Sequence, residues 1–242
     1  MDVDSTEEEL PSPHNYKQML LAQLTLQPEY MEAVQNFCDF TVNYQKKTPK
    51  GLVYIDKFGT LGHAANVAFI CLQISLQFED NLCGIVVRGS SYGPRGPGFD
   101  SRHVQIIWET VGLEWVADIG ISSEKYRDFV KSQIHYMLGE SGRSYVVGFG
   151  LNYPTQPYHA ASSCPDLPEP CGWKDFHRRG PNSQILYGAL VSGPDENDNY
   201  KDDREEYVYN EVTLDYNAGF QSAVAGLQYL RLLGQKKNDT HH

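Results

Sequence analysis

The chain has 242 residues, 40% of them hydrophobic and 21% charged, with a formal net charge of −11. That is ordinary globular composition, long enough for one large domain or two small ones. No basic stripe is available to meet phosphates, which excludes a nucleic-acid partner, and no run approaches the ~18 apolar residues of a membrane span.

In chain order, residues 1–14 are acidic and polar, the reverse of a secretory signal peptide, and are expected to form a disordered leader. Tyr30, Val34, Phe37, Phe40 and Tyr44 recur at three and four, which predicts an amphipathic helix from Pro28 to Tyr44. Pro49, Gly51, Gly59 and Gly62 punctuate a loop, and "HAANVAFICLQISLQF" predicts a helix apolar all round, hence buried. Residues 79–116 break the rhythm and read as an unusual insertion, rich in glycine, proline and arginine in their first half. "SSEKYRDFVKSQIHYMLG" predicts a further helix, capped by Ser122 or Ser123 and ended by Gly139. A Pro/Cys/Gly loop covers 152–183, a short helix is expected around "SQILYGALV", and a last helix from about Asn210 to Leu233 precedes a tail at 235–242. Several helices, long loops and almost no alternating strand pattern predict an all-α fold whose loops gather into a functional surface.

Candidate chemistry concentrates in the loops. Of the five cysteines, Cys38 and Cys71 lie in apolar helical stretches and are expected as buried thiols. Cys164 and Cys171 bracket "PDLPEP", where a disulfide can form; a zinc site lacks a second Cys pair. Asp195, Asn197, Asn199, Asp203 and Glu206 follow a calcium-loop pattern, but its sixth position requires glycine and is Tyr200. That excludes an EF-hand and leaves calcium open only in another loop geometry. His159 has no nucleophile pattern around it, which argues against Ser-His hydrolysis. In "YKDDREEYVYNEVTLDYNAGF", Asn210 is a candidate helix cap and Glu211 a first-turn residue. Two readings of Glu211 stand side by side. It is either a glutamate favoured by the helix dipole, or a general acid set among Asp202, Asp215, Tyr207 and Tyr216. The 16 tyrosines, against 10 phenylalanines and 3 tryptophans, suit a wet cleft.

Four stretches together resemble glycoside hydrolase family 9, the cellulases and endo-β-1,4-glucanases, in their animal form. They are "KTPKGLVYIDKFGTLGHAANVAFICL", "SYVVGFGLNYPTQP", "SCPDLPEPCGW" and "LYGALVSGPDENDNYKDDREEYVYNEVTLDYNAGFQSA". The family's second signature is met at every position by Tyr200, Asp202, Tyr207, Glu211, Thr213, Asn217 and Ala218. The resemblance implies a partial (α/α)6 toroid over residues 15–234, with long loops forming a cleft at one end. It further implies inverting hydrolysis of β-1,4-glucan, a polysaccharide or oligosaccharide partner, no cofactor and an extracellular setting. Glu211 would be the general acid and Asp202 its accessory carboxylate, with Tyr207, Arg143, Asn152 and Tyr158 binding substrate.

The sequence also departs from that pattern. Tyr158 and Ala160 stand where the family has the His and Arg of His-x-Arg, and Phe58 and Gly62 where it has Trp and Arg. The family base comes from an Asp-Ala-Gly-Asp motif that this sequence does not contain. The chain therefore matches the C-terminal half of the family domain, and alone is expected to show no hydrolysis. The alternative reading is a non-catalytic glucan-binding relative that keeps an aromatic cleft.

Overall fold

The computed structural model describes residues 13–25, 27–77 and 123–239; the leader up to residue 12, the 79–116 segment and the end from 240 lie outside these. The main helices are α1 (Pro13–Thr25), α2 (Pro28–Asn43), α3 (Thr60–Gln77), α4 (Ser123–His135) and, after two single-turn helices α5 (Trp173–Phe176) and α6 (Tyr207–Asn210), α7 (Leu214–Asp239). Among the described residues there is no β-strand, only isolated bridges, and no helix long and apolar enough to cross a membrane.

The all-round apolar pattern of α3 has the expected consequence. Leu61, Ala64, Ala65, Val67, Ala68, Ile70, Leu72 and Ile74 are all fully buried, and α3 packs against α7, α4, α2 and α1. α3 and α7 run parallel: Gly219 faces Asn66 and Gly226 faces Leu72. A Cβ on Gly219 would meet the Asn66 backbone nitrogen at 2.8 Å, so glycine sets how closely the two backbones approach. α4 ends in a π-helical turn, Tyr136–Glu140, closed by Gly139 at φ 134°, where an L side chain would be strained.

Four expectations are corrected. The apolar stretch 183–191 is not a helix; Gly188 N donates to Val147 O, and Val147 N and Val191 N donate to Ala189 O and Tyr145 O, tying it to the 145–147 segment. The last helix begins at Leu214, not near Asn210, with Thr213 as its cap: Thr213 Oγ1 accepts from Tyr216 N at 3.1 Å. Glu211 therefore precedes the helix instead of sitting in its first turn. The same helix continues to Asp239, through the start of the expected tail. Cys38 and Cys71, both fully buried, are a disulfide joining α2 to α3, with Cα atoms 5.6 Å apart. Cys164 and Cys171 form the anticipated second bridge.

Candidate active site

Glu211 is placed by its backbone. Its N–H closes the α6 turn by donating to Tyr207 O, its carbonyl accepts from Ser192 N, and it pairs in parallel with Tyr158, whose N–H donates to Asn210 O at 2.7 Å. The side chain is half-buried, and Oε2 accepts a hydrogen bond from Tyr216 Oη at 3.1 Å. Burial first, and then the Glu211 carboxylate, push the Tyr216 hydroxyl up to about 12, so it stays a donor at neutral pH. The Tyr216 ring covers Gly59 and Gly62: a Cβ at Gly59 would lie 2.7 Å from Tyr216 Cε1, and one at Gly62 would collide with Cδ1. The arginine-free position 62 thus makes room for the tyrosine that holds the glutamate.

Asp202 faces the "PTQP" loop. Its Oδ2 accepts from Thr155 N and Thr155 Oγ1, both at 2.8 Å, and Oδ1 accepts from Gln156 N at 2.9 Å. Gln156 Nε2 returns a bond to Asp202 O at 2.7 Å. This carboxylate fixes the loop that carries Tyr158.

The other signature residues build the frame. Tyr200 Oη donates to Asn210 Oδ1, and fully buried Asn210 donates from Nδ2 to the carbonyls of Lys201, Asp203 and Glu206. Asn217 accepts from Leu190 N at 3.1 Å and donates to Gly188 O at 2.8 Å, pinning the 188–190 segment. Arg204, which carried no signal in the sequence, is 2% exposed and donates to Asn182 Oδ1 and to the carbonyls of Phe176, Arg178 and Gly180. It holds the chain that bears α5.

Of the expected substrate-binding residues, Tyr207 and Tyr158 come together and Arg143 and Asn152 form a separate pair. Phe58, Tyr207 and Tyr158 are exposed rings in succession, with centroids 6.1 and 6.0 Å apart and the first pair nearly parallel at 18°. Arg143 instead stacks on Tyr200 at 4.1 Å and donates to Asn152 O at 2.9 Å, while Asn152 sits at φ 53°. Both are engaged in shaping their own loop. His159 accepts from Ser162 N through Nδ1 at 3.1 Å and caps the Ala160–Ser163 turn.

The acidic loop at 195–199 closes on itself. Asp195 Oδ1 accepts from the N–H groups of Asn197 and Asn199, and Oδ2 from Asn199 Nδ2. Asp198 accepts from Tyr136 Oη at 2.6 Å and from Lys50 N at 2.8 Å. Among the described residues no three His, Cys, Asp or Glu side chains gather around a common point, so the calcium reading gains no support here.

Residues 9–224 match the family model of glycosyl hydrolase family 9, and the chain belongs to that family. It is 31% identical over 232 residues to endoglucanase A of Bacillus pumilus, an alignment covering 91% of this chain and 28% of that protein. The solved endoglucanase of the termite Nasutitermes takasagoensis superposes with a TM-score of 0.68 at 44% identity, over 88% of this chain and 40% of that one. Endoglucanase CelQ of Clostridium thermocellum, solved with cellobiose and cellotriose, gives 0.60 at 30% identity, over 89% of this chain and 30% of that one. The helices are accordingly a partial (α/α)6 toroid, with loops at one end forming the cleft. The chain spans well under half the length of these relatives.

Proposed function

We propose that this chain carries the acid side of an endo-β-1,4-glucanase site, and that β-1,4-glucan lies along Phe58, Tyr207 and Tyr158 with a glycosidic oxygen at Glu211. The observation that supports the reading is the placement of Glu211 beside Tyr158 and one turn after Tyr207, at the open row of rings. Pyranose rings present apolar C–H faces to aromatic rings, and their hydroxyls to the polar groups around them. Glu211 would then protonate the departing oxygen as the C1–O bond breaks. Asp202 acts at one remove, by positioning the loop beside it. An inverting reaction also needs a carboxylate roughly 6.5–9.5 Å away to activate water. Asp202 already accepts three hydrogen bonds and is not free for that task.

A second reading, glucan binding without turnover, is favoured by Tyr158. It packs edge-on to Phe176 and beside Tyr207, offering stacking surface and no charge. Binding is common to both readings and is tested by calorimetric titration with cellotetraose. Wild type and Glu211→Gln should bind comparably, and Tyr207→Ala about tenfold more weakly. No binding by wild type, or equal affinity for Tyr207→Ala, sinks the proposed surface.

A further inference from the structure

After α5 the chain turns through His177, Arg178, Arg179 and Gly180, and this turn lines a cavity of about 480 Å³. Arg204 holds the turn from within: 2% exposed, it donates to the carbonyls of Phe176, Arg178 and Gly180 at 2.7, 2.8 and 2.9 Å. Gly180 takes φ 91°, a backbone setting that glycine reaches without strain. The N–H groups of Arg178, Arg179 and Gly180 make no hydrogen bond among the described residues. Successive N–H groups left open in a turn favour an anion.

The charged side chains of the cavity divide unequally. Its three carboxylates are all matched: Asp202 accepts from Thr155 and Gln156, Asp203 meets Lys201 Nζ at 2.9 Å, and Glu205 meets His177 Nδ1 at 2.6 Å. Its three guanidinium groups have no carboxylate partner. Arg204 donates only to neutral oxygens, and Arg178 donates to Pro181 O at 2.9 Å and Ser183 Oγ at 3.0 Å. Arg179 is exposed and has no partner at all among the described residues. The whole chain has a net charge of −11, so carboxylates were available to pair them. A guanidinium offers a planar fork of donors that matches a carboxylate at two points.

We propose that this cavity binds an acidic sugar, with its carboxylate held by the Arg179 guanidinium and the N–H groups of the Arg178–Gly180 turn. The inference rests on the glucan reading above and adds a substrate class to it: β-1,4-glucan bearing carboxylates at C6. A lone phosphate would satisfy the same donors. Two observations favour the sugar: the cavity is far larger than one oxyanion, and it adjoins the proposed glucan surface through Phe176, whose ring touches Tyr158. The hydroxyls of such a sugar meet the polar walls while its carboxylate meets the arginine.

The test is calorimetric titration with cellotetraose, with C6-oxidised cellotetraose and with inorganic phosphate, on wild type and Arg179→Gln. Wild type should bind the oxidised sugar about tenfold more tightly than cellotetraose. That preference should shrink as NaCl is raised from about 0.05 M to about 0.5 M. Arg179→Gln should lose most of it, with cellotetraose affinity unchanged. Equal affinity of wild type for the two sugars, or a preference undiminished in Arg179→Gln, overturns the acidic-sugar site and leaves the glucan reading standing. Phosphate bound as tightly as the oxidised sugar overturns it in favour of a free anion. Wild type that binds neither sugar removes the glucan reading as well.

Discussion

Tyr216 Oη lies 3.1 Å from Glu211 Oε2, and the ring that carries it lies over two glycines, Gly59 and Gly62. Three segments of the chain therefore have to agree before the glutamate is held: the turn into α3, the turn before α7 and α7 itself. Gly62→Ala places a methyl group inside the Tyr216 ring and should destabilise by about 1–3 kcal/mol. Tyr216→Phe keeps the packing and removes only the hydroxyl, for about 0.5–1.5 kcal/mol. Thermal unfolding of both variants checks the order, Gly62→Ala being the less stable.

Asp202 is expected to act on the 154–157 loop. Asp202→Asn keeps the shape but turns an NH2 group towards donors at Thr155 or Gln156. A loss of about 1–3 kcal/mol is expected. Hydrogen exchange should show it locally, with the Thr155 and Gln156 amides exchanging faster in the variant and those of α3 unchanged.

The two disulfides should open in sequence. Cys171 is exposed, whereas Cys38 and Cys71 are fully buried. Mild reductant followed by alkylation should therefore modify Cys164 and Cys171 first, as read by peptide mass. From loop length, the small bridge contributes about 2 kcal/mol and the one joining α2 to α3 about 4 kcal/mol. Unfolding temperature should fall little at the first step and sharply at the second.

His63 gives a pH dependence. Burial lowers its pKa below the usual 6.5, against the opposing pull of Asp56 and the Phe58 carbonyl. A depressed histidine is bound neutral, so its contribution is complete above the unfolded value and declines as pH falls through 6.5 towards the folded one. Unfolding temperature should drop between about pH 7.5 and about pH 5 in wild type, and drop less in His63→Asn. Equal slopes would assign the decline to other groups.

Three helices were legible in the sequence: α2 and α4 follow their apolar spacing closely, and α3 was marked by being apolar all round. The 183–191 segment has similarly spaced apolar residues, but partners at 145–147, some forty positions away, supply hydrogen bonds that local spacing does not reveal. The start of α7 was misplaced because Asn210 looks like a cap, while its amide is engaged with three carbonyls of the preceding loop. At the site, the fixed offsets of Asp202 and Glu211 were readable. The row from Phe58 through Tyr207 to Tyr158 was not, because its members come from three separate stretches of the chain and meet only in the fold.

Glu211 as proton donor is tested most directly by following cellotetraose with azide present, using mass spectrometry. Azide can attack the anomeric carbon without an enzymic base; the C1–O bond breaks, and the Glu211 proton passes to the departing oxygen. Wild type should form glycosyl azide and a shortened oligosaccharide, and Glu211→Gln should do so at least ~100-fold more slowly. No product from wild type, or equal rates for the two proteins, would contradict the account.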